Sequence, residues 1–146
     1  MNVFVSYARI DNDLNRLAVI RGLVQKLGRA YIDDLDSSSV PDRFSAVRNA
    51  LVNAAAFVGV HSPNYLTTMW TRLELSQALQ RRIPVFALLQ DGQIVDQRSP
   101  KWPWRAESAA LAENPVGWPA EAAASYTRSP AERQQPGALP VGGRSR

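Results

Sequence analysis

Four short apolar runs, each rich in β-branched or aromatic residues, alternate with segments of helical hydrophobic spacing between residues 3 and 89. Such alternation constrains the chain strongly, because parallel strands joined by helices need right-handed crossovers. The runs are Val3–Tyr7, Ala30–Asp33, Ala56–Val60 and Pro84–Leu89. Ala56–Val60 is almost continuously apolar, as expected of a strand covered on both faces. Leu14, Leu17, Ile20, Leu23, Val24 and Leu27 form a helical stripe after the N-cap candidates Asp11, Asn12 and Asp13, and Gly28 ends it. A second stripe, Phe44, Val47, Ala50, Leu51 and Ala54, follows a polar 34–40 loop and Pro41, which suits a first helical position. A third helix is predicted over Trp70–Arg82, after a turn-rich loop from His61 to Met69.

The fold class expected is α/β: a flavodoxin-like, doubly wound parallel sheet of four to five strands, ordered 2-1-3-4-5, with helices on both faces. The fifth strand is expected to be short or missing. In such sheets a ligand sits outside the carboxyl ends of the strands, where the strand order reverses. Here that point collects Ser6 to Arg9, the 34–40 loop and the 61–70 loop.

The regular pattern fades after Gly92. Arg105–Glu113 is rich in helix formers, and Trp102-Pro103-Trp104 is placed to anchor such a helix on the sheet. The domain is expected to span residues 1–116, with 98–116 a degenerate last strand and helix. Residues 117–146 read as a disordered tail poor in large apolar side chains.

Composition removes several function classes. The chain has no cysteine, so a disulfide, a thiolate metal site and a catalytic thiol are excluded. The net charge of +4 is uneven. Residues 1–97 carry ten Lys/Arg against nine Asp/Glu, and residues 98–146 carry seven against four. No compact basic cluster interleaved with aromatics appears, so no nucleic-acid partner is expected. No run approaches the roughly 20 apolar residues of a membrane span, and the first residues lack a signal-peptide pattern. A cytoplasmic protein is the expectation. There is no G-x-G-x-x-G, phosphate loop or nucleophile elbow. The lone histidine, His61, has no metal-ligand or Ser/Asp constellation around it, so no metal and no bound cofactor are expected.

One pair of residues carries candidate chemistry. Trp70 and Glu74 are four apart, which puts them on one helix face near its N-terminus. An aromatic face beside a carboxylate suits a flat ring with developing positive charge. Read alone, Glu74 is also an ordinary acid at the positive end of a helix, and Trp70 an ordinary packing residue. Ser6 and Tyr7 can simply end a strand, Asp34 and Asp36 can form turns, and Arg9 is expected to be solvated without a ligand.

The ordered set of motifs resembles the Toll/interleukin-1 receptor (TIR) family, in its bacterial style. Phe4-Val5-Ser6-Tyr7-Ala8-Arg9 resembles the family's first box. Tyr31-Ile32-Asp33 and the following loop resemble the second strand and BB loop, although no glycine marks the loop tip. His61-Ser62-Pro63-Asn64-Tyr65-Leu66 resembles the loop after the third strand. Trp70-Thr71-Arg72-Leu73-Glu74-Leu75 resembles the W-x-x-x-E helix start, and Ile83-Pro84-Val85 the entry to the fourth strand. The match covers about residues 2–90.

The resemblance implies cleavage of NAD+, bound as substrate, at the ribose–nicotinamide bond. It places Glu74 in the catalytic role and Trp70, Ser6, Tyr7, Arg9 and Asp36 near the nucleotide. It further implies self-association or pairing with other TIR domains, in bacterial immune signalling, antiphage defence or virulence. Two alternatives remain open. One is a non-catalytic adaptor acting by TIR–TIR association. The other is a deoxyribosyltransferase-like enzyme acting on nucleosides.

Overall fold

Strand β3, Ala56–Val60, is buried along its whole length and forms the centre of the sheet. A computed structural model describes residues 1–118 of the chain. Its sheet has five strands in the order β2-β1-β3-β4-β5. Strands β1 (Asn2–Ser6), β2 (Arg29–Tyr31), β3 and β4 (Val85–Leu88) are mutually parallel. The expected doubly wound, flavodoxin-like sheet is therefore present.

One part of the expectation needs correction. The last strand, β5 (Ile94–Asp96), lies upstream of the segment expected to hold it and pairs antiparallel with β4. The reason is length. A parallel return needs a crossover of about a dozen residues, and only the turn at 89–93 is available. Gly92 adopts φ +91° there, and Leu89 N–H donates to the Gln93 carbonyl at 2.8 Å.

Among the described residues, five α-helices flank the sheet: α1 (Leu14–Val24), α2 (Asp33–Asp36), α3 (Arg43–Val52), α4 (Met69–Arg81) and α5 (Arg105–Glu113). The period-2 alternation of strand side chains divides the core. Val3, Val5, Ala56, Val58 and Val60 pack with Leu17, Ile20 and Val24 of α1. Phe4, Phe57, Val85 and Ala87 pack on the other face with Val47 and Leu51 of α3, Leu73 of α4 and Leu111 of α5. Leu14, counted in the apolar stripe of α1, is instead 61% exposed at the helix start.

Local cap chemistry sets the helix starts. Asp13 caps α1, its carboxylate accepting the Arg16 N–H at 2.8 Å. Asp42 caps α3 in the same way through Ser45, so that helix begins two residues after Pro41. The polar loop expected from residue 34 opens with the short helix α2.

The C-terminal part anchors as the Trp-Pro-Trp run suggests. Trp102 and Trp104 are buried, with ring centroids 5.1 Å apart and near-perpendicular planes. Trp118 meets Phe44 edge to face at 5.7 Å, and Val116 N–H donates to Ser76 Oγ at 2.8 Å. Packing thus reaches past the expected boundary at 116. The remainder of the expected tail, residues 119–146, lies outside the described residues.

Candidate functional site

The carboxyl end of β1 sends successive side chains to opposite faces of the sheet, and each finds a buried polar partner. Ser6 shares the Phe4 face and turns toward α4. Its Oγ donates to Glu74 Oε1 at 2.7 Å and accepts from the Tyr65 hydroxyl at 2.9 Å. Tyr7 points the other way. Its hydroxyl donates to Asp34 Oδ2 at 2.6 Å and accepts the Asp34 N–H at 3.0 Å.

Helix α4 brings Glu74 to this place. Thr68 caps its N-terminus, and Trp70, Leu73, Glu74 and Ala78 line its inward face at i, i+3, i+4 spacing. All four are buried, and Leu73, Glu74 and Ala78 are fully so. Trp70 belongs to the apolar cluster that contains Phe4, Leu73 and Trp104. The predicted pair thus shares one helix face, with the tryptophan in the core and the carboxylate against β1.

A second buried polar group lies beside the first, built from charges. Arg9 grips Asp34 in a bidentate pair, Nε to Oδ2 at 2.8 Å and Nη2 to Oδ1 at 2.6 Å. Arg43 Nη2, from the first turn of α3, lies 2.9 Å from both Asp33 Oδ2 and Asp34 Oδ1. Arg9 is only 4% exposed, which overturns the expectation that it is solvated. Two adjacent carboxylates at the start of α2 compensate the charge of both arginines. Burial pushes the Asp34 carboxyl upward, but the Arg9 charge and hydrogen bonds from Tyr7, Arg43 and Arg9 outweigh it and hold the pKa at about 2.

Asp36 stands apart from both groups. It pairs with Arg21 of α1 at 2.6 Å and accepts the Ile32 N–H at 2.7 Å. The sequence-predicted residues therefore divide. Ser6 and Glu74 touch directly, Tyr7 and Arg9 meet through Asp34, Trp70 packs in the core, and Asp36 ties α2 to α1.

Sequence reading did not single out Tyr65, Asp33, Arg43 or Gly59 as site residues, and it gave Trp104 only an anchoring role. A signal existed for one of them. Asp33, with Asp34 beside it, follows the apolar Tyr31-Ile32 that leads out of the second strand, and two adjacent carboxylates brought into a core require cationic partners. His61 lies at the rim, with its ring 6.0 Å from that of Trp104. Among the described residues, no group of three or more His, Asp or Glu is arranged to hold a metal, and no helix is long and apolar enough to cross a membrane.

The parallel core with its 2-1-3-4 order, and buried polar side chains collected at the carboxyl ends of β1 and β2, define a doubly wound α/β domain with a polar cluster at its switch point. The family model described as TIR domain matches residues 3–112, well over half of the chain. The chain belongs to the TIR domain family. No curated protein matches it.

Proposed function

We propose that this TIR domain is an NAD+ nucleosidase that cleaves the ribose–nicotinamide bond, with Glu74 as the catalytic carboxylate. The observation that carries this reading is the Ser6 Oγ to Glu74 Oε1 hydrogen bond of 2.7 Å at the carboxyl end of β1. It sets an acid of α4 at the part of the sheet where ligands of this fold class bind.

As the glycosidic bond breaks, positive charge develops on the ribose carbon. A carboxylate nearby stabilises it electrostatically or attacks it, as in glycoside cleavage. Nicotinamide leaves as a neutral molecule, so one carboxylate suffices without a separate general acid. Water at the ribose carbon gives ADP-ribose; a nucleophile of the same molecule gives a cyclic product.

Glu74 is fully buried, so the reading requires the packing around it to open before the ribose reaches it. Self-association that opens the site would meet that requirement, and activity is then expected to rise with protein concentration. The proposed setting is cytoplasmic bacterial immune signalling or antiphage defence, on the strength of the family resemblance.

The same burial favours a second reading. A carboxylate and a tryptophan held in the core also suit a non-catalytic TIR adaptor. Nicotinamide release from NAD+ by concentrated wild-type chain and by Glu74→Gln separates the two. Turnover lost in Glu74→Gln supports the nucleosidase. Turnover unchanged in that variant sinks the assigned mechanism, and no turnover at any concentration, including on a clustering support, selects the adaptor.

A further inference from the structure

Behind the Ser6–Glu74 pair stands a third buried group, the hydroxyl of Tyr65. Tyr65 lies in the loop between β3 and α4 and is 5% exposed. Its hydroxyl donates to Ser6 Oγ at 2.9 Å, on the same oxygen that donates to Glu74 Oε1. A serine hydroxyl has one proton and two lone pairs. The serine proton goes to Glu74 Oε1, and the Tyr65 hydroxyl fills a lone pair behind it. The three groups form one directed chain, and such chains polarise each successive bond.

Separate features of the fold converge on the position of this one hydroxyl. Gly59 of β3 lies beneath it, and a Cβ there would stand 2.8 Å from both the Tyr65 hydroxyl and Trp104 Cη2. Trp104 covers the Tyr65 ring at 4.6 Å between centroids. Leu66, the next residue, takes a left-handed conformation with φ +69°, which is uncommon for a residue with a side chain. The same loop is clamped upstream by Asp11, whose carboxylate accepts from Ser62 Oγ at 2.6 Å and from Asn64 N–H and Nδ2 at 2.7 Å each.

We propose that Tyr65 is a positioning residue: its hydroxyl, acting through Ser6 Oγ, fixes the orientation of the Glu74 carboxylate toward the nicotinamide-bearing carbon of the ribose. The proposal rests on Glu74 being the group that meets the ribose. It assigns to the loop before α4 a role in the chemistry that no contact with substrate is needed to fulfil.

The test uses the full chain with Tyr65→Phe, Ser6→Ala and the double variant. Both substitutions remove only an oxygen and keep the ring packing on Trp104. Nicotinamide release from NAD+ is followed as kcat and KM. Tyr65→Phe is expected to lower kcat about three- to tenfold, the worth of roughly one neutral hydrogen bond, with KM within about twofold. In the Ser6→Ala background, Tyr65→Phe is expected to add nothing further, because its path to Glu74 is already cut.

Unchanged kcat in Tyr65→Phe, or a full additional loss in the double variant, overturns the proposal. If the wild-type chain itself turns over no NAD+, the functional reading of Glu74 fails. The hydrogen-bond chain is then judged without substrate, from the thermal unfolding of Tyr65→Phe, Glu74→Gln and their combination. Losses in Tm smaller together than their sum support the coupling of Tyr65 to Glu74, and strictly additive losses overturn it.

Discussion

Arg9 and Asp34 form a bidentate pair at the carboxyl end of β1, with hydrogen bonds of 2.8 and 2.6 Å, and both are at least nine-tenths buried. Arg43 reaches the same carboxylate from α3. The pair thus ties the start of α2 to the exit of β1 on one side and to α3 on the other. Removing Asp34 strands two buried guanidinium groups beside a single remaining carboxylate, Asp33. Asp34→Ala is expected to cost about 3–5 kcal/mol, as for one partner lost from a buried ion pair. Urea unfolding of wild type and variant measures this, and a loss below about 1 kcal/mol would show that the network contributes little.

The same carboxylate predicts how stability depends on acid. Its folded pKa of about 2 lies below the ordinary 3.8. A depressed pKa stabilises the fold above the unfolded value, and that contribution disappears as pH falls through the folded value. Stability is therefore expected to decline between about pH 4 and pH 2, with roughly 2 kcal/mol attributable to Asp34. Denaturation midpoints across this range, in wild type and in Asp34→Asn, check it. An equally steep acid limb in Asp34→Asn would show that other carboxylates dominate.

Gly59 is required for space, since its φ is ordinary while a Cβ would stand 2.8 Å from the Tyr65 hydroxyl and the Trp104 ring. Both neighbours are buried side chains with little room to retreat. Gly59→Ala is expected to cost about 1–3 kcal/mol by overpacking. It should also lower any NAD+ turnover by shifting Tyr65. A variant with wild-type Tm and a wild-type near-ultraviolet spectrum would contradict this close approach.

Trp104 touches Tyr65, His61 and Trp102, at centroid distances of 4.6, 6.0 and 5.1 Å. It carries the segment after β5 back onto the sheet. Trp104→Ala is expected to cost about 3–5 kcal/mol, as for other buried aromatics truncated to alanine. Hydrogen exchange should then show faster amide exchange in both α5 and the 61–66 loop. Exchange confined to α5 would mean that the loop does not lean on Trp104.

Much of this architecture is legible in the residues, and for a local reason. β3 and α5 lie at Ala56–Val60 and Arg105–Glu113, as patterning and propensity predict. Strand and helix periodicity are properties of consecutive residues, so a linear reading recovers them. The spacing of Trp70 and Glu74 likewise requires only the geometry of one helix. β5 is too short for periodicity to mark, with only three residues, and the Asp91-Gly92 turn before it is its main local signal.

The partners of these side chains are a different matter. Glu74 finds Ser6 across 68 positions, Tyr65 finds Ser6 across 59, and Arg9 finds Asp34 across 25. Sequence by itself determined that Ser6 and then Tyr7 close the first apolar run, that an acid lies one turn into α4, and that two aspartates follow β2. Only the tertiary structure decided that Ser6 faces Glu74 while Tyr7 and Arg9 face Asp34, and that Asp36 turns to α1. The physical reason is the pleat. Adjacent residues of one strand point to opposite faces, so their chemistry is set by whichever helix the sheet order brings to each face.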